Sequence, residues 1–336
     1  NGLLFQGETD AFIVDYDTNG QAINLVYSGA TVGWTPASDI VSALEPVAPS
    51  TQKAIFGYGA AASKVSLTNL VSSSGVVAAD TTGVGTARGD LAAAGYGSDK
   101  AIFGYGRTGS SLSLTNLVNN SGVVAADVSG VGTARYYLAA AGYGGDKAIF
   151  GYGTTGSYSS LTNLVSSSGV VATDTTGVGT ARGYVAGVSY GGDKALFAYG
   201  YTGSNVSMSN LISNLGVVSA DVTGVGTARG YLAAASYDTD KAIFGYGYNG
   251  SANLSMSNLV SNNGIVASDV SGVGTARRQL GAAGYGGDKA IFAYGKAGAF
   301  TSIKNLVNSS GVIAADVTGV GTAREAIAAA GYSISA

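Results

Sequence analysis

Charge is scarce in this chain, and the residues that could do chemistry recur at three fixed places. An Arg closes each "GVGTAR" stretch, at Arg88, Arg135, Arg182, Arg229, Arg277 and Arg324. An Asp closes each "VVAAD"-like run, at Asp80, Asp127, Asp174, Asp221, Asp269 and Asp316. A Lys heads each "KAIFGYG"-like string, at Lys53, Lys100, Lys147, Lys194, Lys241 and Lys289. Two chemistries fit this set. One Asp–Arg or Asp–Lys pair per unit, partly buried and hydrogen-bonded to backbone, would fix the register of the units. Six Arg around a channel would instead bind an anion. The first is favoured, because few charges survive here except where a partner recurs with them. The segments "DTTG", "DVSG" and "DVTG" read as Asx-type turns. They could ligate Ca²⁺, but no second carboxylate recurs within reach, so no metal site is expected.

Absences narrow the chemistry further. With no His and no Cys, the chain has neither the commonest general base nor a thiolate, and every Ser-His or Cys-His arrangement is excluded. The net charge is -3 and only 11% of residues are charged, with no Lys/Arg run to hold a nucleic acid. The hydrophobic fraction of 46% can build a core, although Gly numbers 54. No apolar run reaches membrane-spanning length and no signal peptide is visible. The chain opens on "NGLLFQGETD" without Met, as a processed or partial form of something longer would. "GVGTAR" contains Gly-x-Gly, but no helix start follows it, so a phosphate loop is rejected and no cofactor is expected.

The elements that carry these residues come from a repeat. Six units start at 53, 100, 147, 194, 241 and 289, with a period of 47 and one step of 48. An Asn recurs in each, at Asn69, Asn116, Asn163, Asn210, Asn258 and Asn305. Gly breaks every candidate helical stretch, and each unit divides into four short segments joined by Gly-, Asn- or Ser-rich turns such as "YGGD" and "SSSG". The pattern predicts an all-β, six-bladed β-propeller of four-stranded blades over 53–336. The array begins on a second strand and ends on a first ("AIAAAGYS", 326–333), so the C-terminal strand is expected to close the ring beside Lys53. The Tyr of Gly-Tyr-Gly is expected to pack between blades with its hydroxyl at a polar rim. Residues 1–44 read as a small N-terminal β element or tether, with two strands around "DTNG" in 11–29, and 45–52 as a linker.

The order in "ARYYLAAAGYGGDKAIFGYG" (134–153) resembles a kelch repeat: an Arg, a small-residue strand, then an apolar strand ending in paired glycines, here Gly-Tyr-Gly. The resemblance implies kelch-like blades closed by an innermost C-terminal strand, although the family's outer-strand Trp is missing. Strings such as "DKAIFGYG…TNLVSSSGVVAADTTGVGTAR" look more like repeat arrays of bacteriophage virion proteins, especially tail-fibre-like ones. More loosely, the chain is similar to bacterial propeller lectins. These resemblances imply a virion location, or a secreted or cell-surface one. They imply as partner a host-surface glycan or protein receptor, or other virion proteins.

Two segments vary between units, one after Gly-Tyr-Gly and one after "TAR", and both are expected on one face. That candidate rim carries Tyr136, Tyr137, Tyr158, Tyr184, Tyr201, Tyr231, Tyr248, Arg107, Arg278 and Gln279. Tyr there suits glycan or protein contact; relaxed drift of loops explains the same variation without a ligand. The leading expectation is a non-enzymatic structural and binding protein. A secreted carbohydrate-binding lectin is the alternative, and a sialidase lacks its Ser-x-Asp-x-Gly-x-x-Trp boxes.

Overall fold

The computed structural model describes residues 51–335 and, ahead of them, six short strands. The chain divides into two compact units, Asn1–Val47 and Ala48–Ala336. In the first, Leu4–Phe5, Glu8–Thr9, Leu25–Tyr27 and Trp34–Pro36 form a four-stranded sheet, and Gln21–Ala22 pairs with Val41–Ser42. The strand and "DTNG" turn expected within 11–20 lie outside the described residues.

The second unit has no helix among its described residues and consists of six three-stranded antiparallel sheets. In the second sheet Ala92–Tyr96 pairs with Lys100–Gly104, which pairs with Thr115–Val118. The first sheet draws on both ends of the array: Ala328–Tyr332 pairs with Lys53–Gly57, which pairs with Thr68–Val71. The first strand of each sheet contacts that of the next in sequence order, and Ala328–Tyr332 contacts both Gly281–Tyr285 and Ala92–Tyr96.

Alternation explains the middle strands only in part, since both faces are covered. Ile102 and Phe103 are both fully buried, one in each of two adjoining core clusters, and every cluster draws on neighbouring sheets. The rings reach across the junction. A Cβ added to Gly57 would stand 2.7 Å from Phe103 Cζ, so the small residue there serves close approach between sheets. Ala198 and Ala293 fill the equivalent place in two units, so one methyl is tolerated.

The expectation of four complete strands per unit is corrected. The fourth segment meets the third strand only at isolated bridges, Val71↔Val77 and Thr68↔Thr81 in the first unit. The fourth segment holds one residue more than the third between those bridges, which is a bulge. The Asn69 amide fills the gap by donating to the Ala78 carbonyl at 3.0 Å. Beyond the bulge the outer edge keeps its alternation, with Val76 60% exposed and Val77 5%.

Candidate functional site

The recurring charges sit at the junctions between sheets. Arg88 is fully buried and uses its fork on three acceptors: Nε donates to Tyr105 O (2.8 Å), Nη1 to Thr86 O (3.1 Å) and Nη2 to Asn116 Oδ1 (2.7 Å). Its guanidinium carbon lies 4.4 Å from the Tyr58 ring centroid. Tyr58 belongs to the first sheet, Tyr105 and Asn116 to the second, so one Arg staples two sheets. The pattern recurs at each junction, and Arg324 binds Tyr58 O and Asn69 Oδ1 of the first sheet.

Asp127 is a secondary partner of Arg88, at 3.9 Å from Nη1. Its short bonds come from Thr86 Oγ1 (2.6 Å), Thr86 N (3.0 Å) and Asn116 Nδ2 (2.9 Å). The register device is therefore an Arg–Asn–Asp–Thr network rather than a simple ion pair. Each Lys of the strand heads except Lys53 stands within 3.0 Å of an Asp in its own turn.

Burial alone would raise the Asp127 carboxyl. The bonds from Thr86 and Asn116, with the Arg88 charge, outweigh it and hold the group below its ordinary 3.8. Asp80, Asp174, Asp221, Asp269 and Asp316 are lowered in the same way. A depressed carboxylate adds stability that is complete above its unfolded pKa and lost as pH falls through the folded one. Six such groups predict a melting temperature nearly flat from about pH 7 to 5 that drops steeply below about pH 4. Thermal melts by circular dichroism check this, and a flat profile down to about pH 3 would contradict it.

The Tyr of Gly-Tyr-Gly is drawn into the same junction. Tyr58 is fully buried at φ +63°, edge-on to Phe103 with ring centroids 5.2 Å apart. A left-handed Tyr is strained. It recurs in all six units because ring, stacked Arg and the Gly59 that follows fix the turn together. The hydroxyl does not reach a solvent rim; it donates to Val84 O at 3.1 Å, and burial pushes the phenol up to about 12 against the pull of Arg88.

The two variable segments are paired with each other. Bridges join Gly89 to Arg107, Tyr136 to Thr154, Gly183 to Tyr201, Gly230 to Tyr248, Arg278 to Lys296 and Ala60 to Glu325. Two residues after each junction Arg the backbone turns left-handed, at Asp90, Tyr137, Tyr184, Tyr231, Gln279 and Ala326. These residues are linked head to tail. Asp90 N donates to Ala326 O (3.0 Å), Tyr137 N to Asp90 O (2.9 Å) and Tyr184 N to Tyr137 O (2.8 Å). Gln279 N donates to Tyr231 O and Ala326 N to Gln279 O, both at 2.9 Å. Their side chains surround a cavity of about 80 Å³ floored by Leu91, Leu138, Val185, Leu232, Leu280 and Ile327.

All ten candidate rim residues are half-buried rather than exposed. Three converge: Tyr137 and Tyr184 ring centroids are 4.0 Å apart, and Tyr184 and Tyr231 are 4.1 Å apart. Tyr136 packs on Tyr137 at 4.9 Å, and Tyr158 and Tyr201 make edge contacts beyond. Burial raises the Tyr137 and Tyr231 phenols, helped by Asp90 at the first and a Tyr184 hydrogen bond at the second, so both stay protonated. Tyr248 stands apart beneath Arg278, 4.6 Å from ring centroid to guanidinium.

The remaining arc is charged, and most of it escaped the sequence reading. Asp90, whose side chain is 2% exposed, accepts from Arg107 Nε at 2.7 Å and lies 3.6 Å from Lys64. Arg107 Nη2 also donates to the Tyr137 hydroxyl at 2.6 Å. Glu325 stands 3.9 Å from Lys296, and burial raises its carboxyl despite that cation. Asp90 and Glu325 come from the variable pairs "GD" and "EA", at the repeat positions that carry Tyr137 and Tyr136 as "YY", so their position is the available signal.

A second cavity, of about 190 Å³, is lined by first-strand residues Gly95, Gly142, Ser189, Ser236, Gly284 and Gly331 among others. The Ser189 and Ser236 hydroxyls donate to Gly142 O and Ser189 O. No protein-family model matches the chain, and no curated protein matches it.

Proposed function

We propose that the second unit is a six-bladed β-propeller closed by its C-terminal strand, and that the chain is a non-enzymatic recognition protein. Its ligand is a saccharide held on the face built by the paired variable segments. The cyclic order of strand contacts, the sixth Arg stapled to the first sheet and the linked backbone after each Arg support the ring. One observation carries the function: at equivalent left-handed positions the chain changes residue type, and three of those residues are Tyr packed side by side over a cavity. A sugar face packs on such rings while its hydroxyls meet protonated phenols. The larger cavity is lined mostly by Gly, Ser and Thr and offers no cluster of aromatic rings to a sugar face. From the resemblance of the repeat strings alone, we propose a phage virion as the setting, with a host-surface glycan or protein receptor, or a virion neighbour, as partner.

A glycan array probed with the purified chain tests this. Tyr184→Ala is expected to weaken binding about tenfold or more, as loss of a central aromatic anchor does, with little change in melting temperature. Binding unaffected by Tyr184→Ala would move the site elsewhere.

A further inference from the structure

Four cations and two carboxylates share the arc beside the tyrosines, and they are layered. The side chains of Lys64, Arg107 and Lys296 are 28%, 33% and 34% exposed, whereas those of Asp90 and Glu325 are 2% and 16%. The anions lie beneath and the cations face out, so this arc is positive although the whole chain carries -3. Arg278 is the odd member. Every junction Arg uses its fork on three acceptors, but the Arg278 guanidinium makes no hydrogen bond among the described residues and rests on the Tyr248 ring. Arg278 bridges to Lys296, and the next residue, Gln279, donates its N–H to Tyr231 O, which puts Arg278 at the seam between aromatic and charged arcs. A planar fork with free donors, stacked on an aromatic ring, is preorganised for a carboxylate.

We propose that the saccharide taken on this face is an acidic one, with its sugar ring on Tyr137, Tyr184 and Tyr231 and its carboxylate on Arg278 and Lys296. This rests on the saccharide reading above and names the ligand class within it. Buried Asp90 binds Arg107 and half-buried Glu325 stands 3.9 Å from Lys296, whereas the whole Arg278 fork is without a hydrogen-bond acceptor among the described residues.

The test uses the full chain against immobilised oligosaccharides bearing glucuronic, galacturonic or N-acetylneuraminic acid, each beside its carboxyl-reduced form. The expected result is acidic probes binding about tenfold more tightly than reduced ones, the usual size of a charge-assisted pair, with the preference shrinking as salt rises. Arg278→Gln should bring acidic probes down to the level of the reduced ones, while Tyr184→Ala weakens both. Equal binding of acidic and reduced probes, still sensitive to Tyr184→Ala, overturns the acidic ligand and leaves the saccharide reading standing. Failure of every probe to bind overturns both.

Discussion

Substituting Leu for Arg135 is expected to lower the unfolding free energy by about 3–5 kcal/mol, the size seen when a buried charge network loses one partner. In a domain of this size that moves the melting temperature down by roughly 10 °C. Arg135 has no solvent exposure, and its donors serve Tyr152 O, Thr133 O and Asn163 Oδ1. Leu would strand the buried Tyr152 O and Asn163 Oδ1 without a donor, and would remove the cation from above the Tyr105 ring, 4.6 Å away. Lys keeps the charge but has no planar fork to serve three acceptors, so Arg135→Lys should recover less than half of the loss. Arg278→Gln, on the variable face, should stay within about 0.5 kcal/mol of the parent. Urea melts of the three variants decide the matter, and an Arg135→Leu loss under about 1 kcal/mol would remove the staple from the account.

The contrast between Arg135 and Arg278 also marks how far the sequence could be read. Both are Arg of the repeat array, in different units and one place apart in register, at the last place of "TAR" and the place after it. Periodicity separates them, because the first recurs six times and the second once. The turns, the small first strands and the C-terminal strand beside Lys53 follow from local residue types and the phase of the repeat. The Asn had been visible as a recurrence without a role. Its partners could not be read, because Thr86 and Asp127 lie 41 residues apart and meet only across a junction. The outer strand differs from its pattern: "VVAAD" alternates as a strand should, but one extra residue against the third strand breaks the ladder, and a one-residue mismatch leaves no mark in either segment alone. The variable face was legible as two segments and not as an arrangement. That Asp90 lies under Arg107 depends on which side chains turn inward, which a loop sequence does not specify.

Deleting residues 324–336 is expected to leave no compact soluble species. The deletion removes Arg324, the linked residue Ala326 and the whole strand that pairs residue for residue with Lys53–Gly57. Ile327 belongs to the core cluster shared with Ile291 and Tyr294, while Ala328, Ala330 and Tyr332 belong to the one shared with Tyr58 and Phe103. Two of the six clusters are therefore opened at once, at about 1.5–3 kcal/mol for each large side chain lost. The Lys53–Gly57 strand would then present an unpaired apolar edge, a template for association with another copy. Size-exclusion chromatography should show aggregate or high oligomer in place of the parent's peak. A synthetic peptide of residues 324–336 added during refolding should restore the compact form, since the strand needs only the exposed edge and the first sheet's Arg pocket to dock. The same peptide carrying Arg324→Leu and Tyr332→Ala should fail, having lost the staple to Asn69 and the largest buried ring of the strand. A truncated chain that stays monomeric and melts like the parent would show that the six sheets hold without closure, and the ring would have to be abandoned as the source of stability.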